Sequence, residues 1–290
     1  PWLRWNFAGY EARVGDDTGG GWEEQRALTN TLVRIAERNG CGRLLWEYHS
    51  DLVRYGTPMA LMLLPHWTDG CIGSMEGLYF EASTTTPYHF LVQSELSVSP
   101  SRAQRGLPYR GFDLEAGVDH LRQLGVPYYA AFSERAVDEA RAHRDLTELA
   151  TSGPWTVFAV DGADLVVSLD VEPAVFSDVD HAGWMDPAVE VFQQGSDAVV
   201  RTVGGPDGWQ RVAAADQPER RPLPAVVVRD VQAGVDTVSF RVDRLGVPVL
   251  VRTSYFPNWE VEGALGPWRA TPNLMVVVPT DEEVRLSYGR

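Results

Sequence analysis

Asp113-Leu114-Glu115-Ala116-Gly117-Val118-Asp119-His120-Leu121-Arg122-Gln123-Leu124-Gly125-Val126-Pro127-Tyr128-Tyr129-Ala130-Ala131-Phe132 is the stretch on which the fold of the first half turns. Leu114, Val118, Leu121 and Leu124 recur at helical spacing, so residues 113–124 read as a helix with one apolar face. Gly125 ends it, because glycine tolerates the left-handed conformation at a helix C-terminus. Val126 to Phe132 then reads as an apolar strand. A helix running directly into a buried strand is the building unit of an α/β layer structure.

The same alternation extends in both directions. Upstream, Ala27, Leu28, Leu32, Ile35 and Ala36 predict a helix over Glu23 to Asn39, stopped by Asn39-Gly40. Arg43 to Tyr48 reads as a strand, and Pro58 to Trp67 as a second buried strand or a short helix. Downstream, Ala136, Val137, Ala140, Leu146 and Leu149 predict a helix over Glu134 to Thr151, followed by a strand over Trp155 to Val160. Gly15 to Gly21 reads as a loop. Residues 1–162 are therefore expected to form an α/β domain. It is interrupted by a long irregular segment, 68–101, rich in Gly, Ser and Thr. Long irregular segments inside compact domains commonly carry function.

After Asp161 the pattern changes. Val166–Val171, Ala225–Val231, Thr237–Val242, Val247–Tyr255, Trp259–Glu262, Leu274–Val278 and Val284–Tyr288 are short β-branched or aromatic runs punctuated by Gly, Pro and Asp. Such spacing predicts a mostly antiparallel β-sandwich over residues 163–290, making the whole chain α+β. One helix, around Pro187 to Gln194, is inserted, and Gly204 to Pro224 reads as a polar surface loop.

Composition narrows the function classes. The 290 residues carry 25 basic and 40 acidic side chains, a net charge of −15, and every basic one is arginine. That sign disfavours nucleic acid as a partner, since phosphate-backbone binding needs clustered positive charge. No apolar run approaches the roughly 20 residues of a membrane-spanning helix, and no basic, apolar, small-residue leader opens the chain. The two cysteines, Cys41 and Cys71, fit either two buried thiols or one bridge.

Several motifs fail when tested. Asp178, Asp180 and Gly183 imitate the start of a calcium loop, but Ala182 and Val189 occupy ligand positions. Gly40-Cys41-Gly42 follows a helix rather than a strand and lacks the third glycine of a dinucleotide fingerprint. Ser74 lies among glycines, but Ile72 and Glu76 stand where a nucleophile elbow needs glycine. The six histidines are scattered, so no metal and no cofactor is expected. Glu76 and Glu81 have the chemistry of a glycosidase pair, with Trp46, Trp67, Tyr79 and Tyr88 as sugar-stacking faces, although no spacing rule pairs them.

A resemblance adds to this reading. It is carried by Gly42-Arg43-Leu44-Leu45-Trp46-Glu47, Tyr55-Gly56-Thr57-Pro58, Met75-Glu76-Gly77-Leu78-Tyr79-Phe80-Glu81-Ala82-Ser83, Thr86-Pro87-Tyr88-His89-Phe90 and Ser94-Glu95-Leu96-Ser97. Gly106-Leu107-Pro108-Tyr109, the run from His120 to Tyr129, and Arg252-Thr253-Ser254-Tyr255-Phe256-Pro257-Asn258-Trp259 continue it. Together they resemble the extracytoplasmic segment of bacterial polytopic membrane proteins of the YfhO-like and 6-pyruvoyl-tetrahydropterin synthase-related family. The membrane part of that family looks like a GT-C glycosyltransferase. Val261-Glu262-Gly263 departs from the family's Asp-Gly turn, so no role of that aspartate carries over. All-arginine basic usage matches a GC-rich, actinobacterial genome.

The resemblance implies an extracytoplasmic domain at the plasma membrane, with transmembrane helices of the same parent chain flanking it. In that oxidising compartment a Cys41–Cys71 disulfide becomes the favoured pairing. Catalysis would reside in the membrane part, and this region would bind or position a cell-envelope glycan. The residues expected to do so are His66, Trp67, Asp69, Glu76, Glu81 and His89, polar groups beside aromatic faces in and around the irregular segment. The rival expectations are a non-catalytic scaffold of the envelope and a secreted carbohydrate hydrolase.

Overall fold

The computed structural model describes residues 21–75 and 84–289. The chain divides into two compact units, one reaching Ala163 and one beginning at Asp164, with Gln123–Gly125 grouped with the second.

In the first unit the order is α1 (Gly21–Asn39), β1 (Gly42–Trp46), two short 3₁₀ turns, α2 (Leu64–Trp67), β2 (Ile72–Ser74), α3 (Thr86–Glu95), α4 (Leu114–Leu124), β3 (Tyr128–Ala131), α5 (Glu134–Ala142), β4 (Leu146–Ser152) and β5 (Trp155–Val160). The strands form one mixed sheet in the order β2-β1-β3-β5-β4. β2, β1 and β3 are parallel, while β5 runs antiparallel to both its neighbours.

Strand alternation sends side chains to two faces. Leu44 and Trp46 of β1, Tyr128 and Ala130 of β3, and Trp155 and Val157 of β5 meet the α1 stripe of Leu28, Leu32, Ile35 and Ala36. Each leucine buried there contributes on the order of 1.5–3 kcal/mol. On the opposite face Tyr129 stacks on Phe158 at 6.3 Å, and its hydroxyl donates to the carbonyl of Leu96, just past α3, at 2.8 Å. All ten residues of α3 are buried. α4 lies close against the end of α3, because Gly117 leaves no room for a Cβ, which would sit 2.5 Å from the Leu96 side chain.

Two expectations for this unit are corrected, and one left open is decided. The helix predicted over Glu134 to Thr151 ends at Ala142, and residues 146–152 form β4. β4 pairs with β5 around the Gly153-Pro154 turn, and its register shifts between Glu148 and Ala150. That bulge breaks the period of two and leaves Leu146 and Leu149 at a helix-like spacing. The 68–101 segment is not irregular throughout, since it contains β2 and α3. Of the two readings of Pro58 to Trp67, the short helix is the one formed: a 3₁₀ turn over Ala60–Leu63 leads into the single-turn α2.

The second unit contains β6 (Val166–Ser168), β7 (Ala174–Phe176), α6 (Met185–Phe192), β8 (Arg201–Val203), β9 (Arg211–Val212), β10 (Val228–Ala233), β11 (Thr237–Val242), β12 (Val249–Val251), β13 (Trp259–Glu262), β14 (Ala264–Ala270), β15 (Leu274–Pro279) and β16 (Glu283–Tyr288). Four strands form the antiparallel sheet β10-β11-β16-β13, and seven form β6-β12-β15-β14-β8-β7-β9. Only the β7 pairings within the larger sheet are parallel.

The two sheets pack face to face as the predicted sandwich. Val238, Phe240, Val284 and Leu286 of the smaller sheet meet Val249, Val251, Met275 and Val277 of the larger. β15 is buried along its whole length. Met275 and Val277 enter that core, while Leu274, Val276 and Val278 face a second cluster with Leu250, Val175 and Trp209. The stretch 204–224, read as a surface loop, contains β9 and the buried Trp209. Trp209 packs edge-on against Trp268 at 5.5 Å, and this burial draws a polar, Pro-rich stretch onto the sheet.

Candidate functional site

The sharp turn after α2 presents three of the predicted residues together. Pro65 opens the single helical turn, where its missing N–H costs nothing. Thr68 then anchors the exit: its hydroxyl donates to the Leu64 carbonyl at 2.7 Å and accepts from the Ile72 N–H at 3.0 Å. The Gly70 N–H donates to the Pro65 carbonyl at 2.7 Å. Asp69 and Gly70 both take left-handed backbone, with φ of 50° and 80°. The Cys41–Cys71 disulfide is formed, with a sequence separation of 30, and it joins the starts of β1 and β2.

This frame leaves His66, Trp67 and Asp69 exposed, with Trp67 at 45% of its full accessibility. Trp67 meets Trp22 of α1 edge-on at 5.8 Å and His66 at 4.9 Å. The result is a partly exposed aromatic pair with an imidazole against it and the exposed Asp69 two residues further along the same turn. Such a surface can receive the C–H face of a planar, hydroxyl-rich ligand and hydrogen-bond its rim. His89 does not belong to it: it is 2% exposed on α3, with its ring 5.2 Å from Phe90. Glu76 and Glu81 lie outside the described residues, as does Tyr79. Trp46 and Tyr88 are core residues.

The sequence reading missed Trp22, which follows a glycine run and shows no pattern of its own. Two of the acids, Glu47 and Glu95, are fully buried. Glu47, fully buried just past β1, accepts from the N–H groups of Phe132 and Ser133 at 2.8 Å each, from the Ser133 hydroxyl at 2.7 Å and from the Val98 N–H at 3.3 Å. Ser133 is the N-cap of α5 and accepts from the Ala136 N–H. Glu47 thus sits at the carboxyl ends of the parallel β1 and β3, where open α/β sheets bind ligands, and fills that position with the protein's own carboxylate. Glu95 Oε2 lies 2.6 Å from His120 Nδ1, and both side chains are essentially inaccessible. The signal for Glu47 was present as an acid directly after an apolar strand, but nothing local distinguishes it from a surface acid.

A further buried network ties α1 to the sheet. Tyr55 donates its hydroxyl to Glu24 and accepts from the indole N–H of Trp155 at 2.8 Å. Burial first, then the Glu24 carboxylate, push the Tyr55 phenol up to about 12. In the second unit, the carboxylates of the rejected calcium loop serve backbone turns. Asp180 accepts from the Gly183 and Ala182 N–H groups, which lower its pKa, and Asp178 accepts from the Ala214 N–H. Among the described residues no group of three or more His, Cys, Asp or Glu could hold a metal ion, and no helix is long and apolar enough to cross a membrane.

Comparison with protein-family models, with curated proteins and with solved structures finds no match to this chain.

Proposed function

We propose that the chain is an extracytoplasmic domain of a polytopic bacterial membrane protein that binds and positions a cell-envelope glycan through the surface built by Trp67, Trp22, His66 and Asp69. The observation that carries this reading is the exposed Trp67 ring, held edge-on to Trp22 and His66 rather than folded into the core. A half-exposed indole beside a second indole offers apolar area that a ligand can cover with gain of hydrophobic free energy. Trp67 also lies inside the loop closed by Cys41 and Cys71, and structural disulfides persist in oxidising compartments outside the cytoplasm. Sugar transfer itself would belong to membrane-embedded parts of the same parent chain, flanking this domain.

The test is an envelope-glycan array probed with the wild-type domain, oxidised and reduced, and with Trp67→Ala. Saturable binding to a glycan class that Trp67→Ala loses while keeping its unfolding midpoint supports the reading. Absence of binding from every glycan in the oxidised protein overturns it and leaves the surface as a protein-contact face of an envelope scaffold.

A further inference from the structure

The second unit holds a cavity of about 280 Å³ on the side of the large sheet that faces away from the sandwich core. Its floor is made by Val167 and Leu169 on and after β6, Leu250 of β12 and Leu274 of β15, and Phe192 at the end of α6 forms a wall. Strand alternation explains the floor: Val166, Val249 and Val251 point into the sandwich, so their neighbours Val167 and Leu250 point the other way. Asp170, Asp197, Arg220 and Arg252 also line the cavity.

We infer that this cavity is a binding site for one neutral sugar ring. Three features select that class. The volume, about 280 Å³, falls just below the roughly 300–1,000 Å³ of drug-sized ligand pockets, so it suits a single ring rather than an extended chain. Two arginines and two aspartates are among the lining residues, a formal balance that gives a charged ligand no net preference; Arg252 also donates from Nη1 to the Asp164 carbonyl at 2.9 Å. Guanidinium and carboxylate groups are planar, two-pronged donors and acceptors that match vicinal hydroxyls, while the floor takes the ring's C–H face. Arg220 is available for this role: its Nη1 donates to the backbone carbonyl of Asp197, and among the described residues it forms no ion pair. Asp170 and Asp197 are exposed side chains, also outside any ion pair among the described residues. The site stands on this cavity alone and does not require the Trp67 surface, which lies in the other unit.

Methyl-resolved NMR titration with methyl glucoside, galactoside and mannoside tests it. At least one glycoside is expected to give saturable shifts confined to the methyls of Val167, Leu169, Leu250 and Leu274. Arg220→Ala, a surface truncation, is expected to weaken that binding about tenfold or more, the loss of one charged hydrogen bond. Val167→Phe, which fills the cavity, is expected to abolish it, and Trp67→Ala to leave it unchanged. Shifts produced by acetate or methylammonium instead of the glycosides would make this an ion site and overturn the inference. Shifts produced only by an aliphatic alcohol would reduce it to an apolar void, and no shift with any glycoside would refute it directly. Loss of the methyl shifts in Trp67→Ala would place the effect at the Trp67 surface and overturn the cavity assignment.

Discussion

Glu47→Ala is expected to be the most damaging single truncation of an acid in the first unit. In the wild type the carboxylate is fully buried and serves three close donors, the Phe132 and Ser133 N–H groups and the Ser133 hydroxyl, all within 2.8 Å. Removing it leaves those donors unanswered at a partly buried site, at about 1–2 kcal/mol each, together about 3–6 kcal/mol. Glu47→Gln keeps one good acceptor oxygen, and the Ser133 hydroxyl can turn to accept from the new amide. It is expected to cost about 1–3 kcal/mol, well short of the alanine variant. Urea unfolding read by tryptophan fluorescence reports the difference, since Trp46 and Trp155 are buried in this unit. The alanine variant's midpoint temperature should fall by roughly 10 °C. Amide exchange at Phe132 and Ser133 should accelerate, and formate or acetate, which fit the vacated position, should restore part of the loss. A Glu47→Ala loss below about 1 kcal/mol, or equal losses for alanine and glutamine, would refute the reasoning, because the donors would then have found other partners.

The remaining predictions concern other joints of the fold. Tyr55 holds its proton to about pH 12 in the folded unit but only to about pH 10 when unfolded, so the folded state binds more protons between those values and stability falls as pH rises through that window. Tyr55→Phe should flatten that alkaline slope in urea melts at pH 9 to 12, while losing the acceptor for Trp155. Cys41→Ser with Cys71→Ser should cost about 3–4 kcal/mol for a loop of this span and should match the wild type under reducing conditions. Gly117→Ala should destabilise by about 1–3 kcal/mol, because overpacking against Leu96 outweighs the roughly 1 kcal/mol that alanine normally adds to a helix. A thermal melt in which Gly117→Ala gains stability would show that α4 moves aside without penalty.

Legibility differed between elements for physical reasons. The α4 stripe was readable because Leu114, Val118, Leu121 and Leu124 are all buried against one side. β11 was readable because its inward residues alternate strictly with more exposed ones. β4 was not, since its bulge erased the alternation. α3 was hidden for the opposite reason: a helix buried on every side has no amphipathic period to detect, and its His89, Gln93, Ser94 and Glu95 made it look polar. Of the residues expected at a glycan surface, His66, Trp67 and Asp69 share one turn, whereas His89 is sequestered in the core.

By itself the sequence determined the change from helix–strand alternation to a sandwich of short strands, because burying one face of an element imposes a period on its own residues. It also showed an acidic, arginine-only chain whose charge disfavours nucleic acid. Only the tertiary structure decided that Cys41 and Cys71 are joined, that Trp22 meets Trp67, that Glu47 closes the end of β1 on Ser133, and that β6, β12 and β15 share a cavity with Arg220. Each of these is a contact between residues far apart along the chain. A local pattern records which face of an element is buried, and it carries no record of what lies against that face.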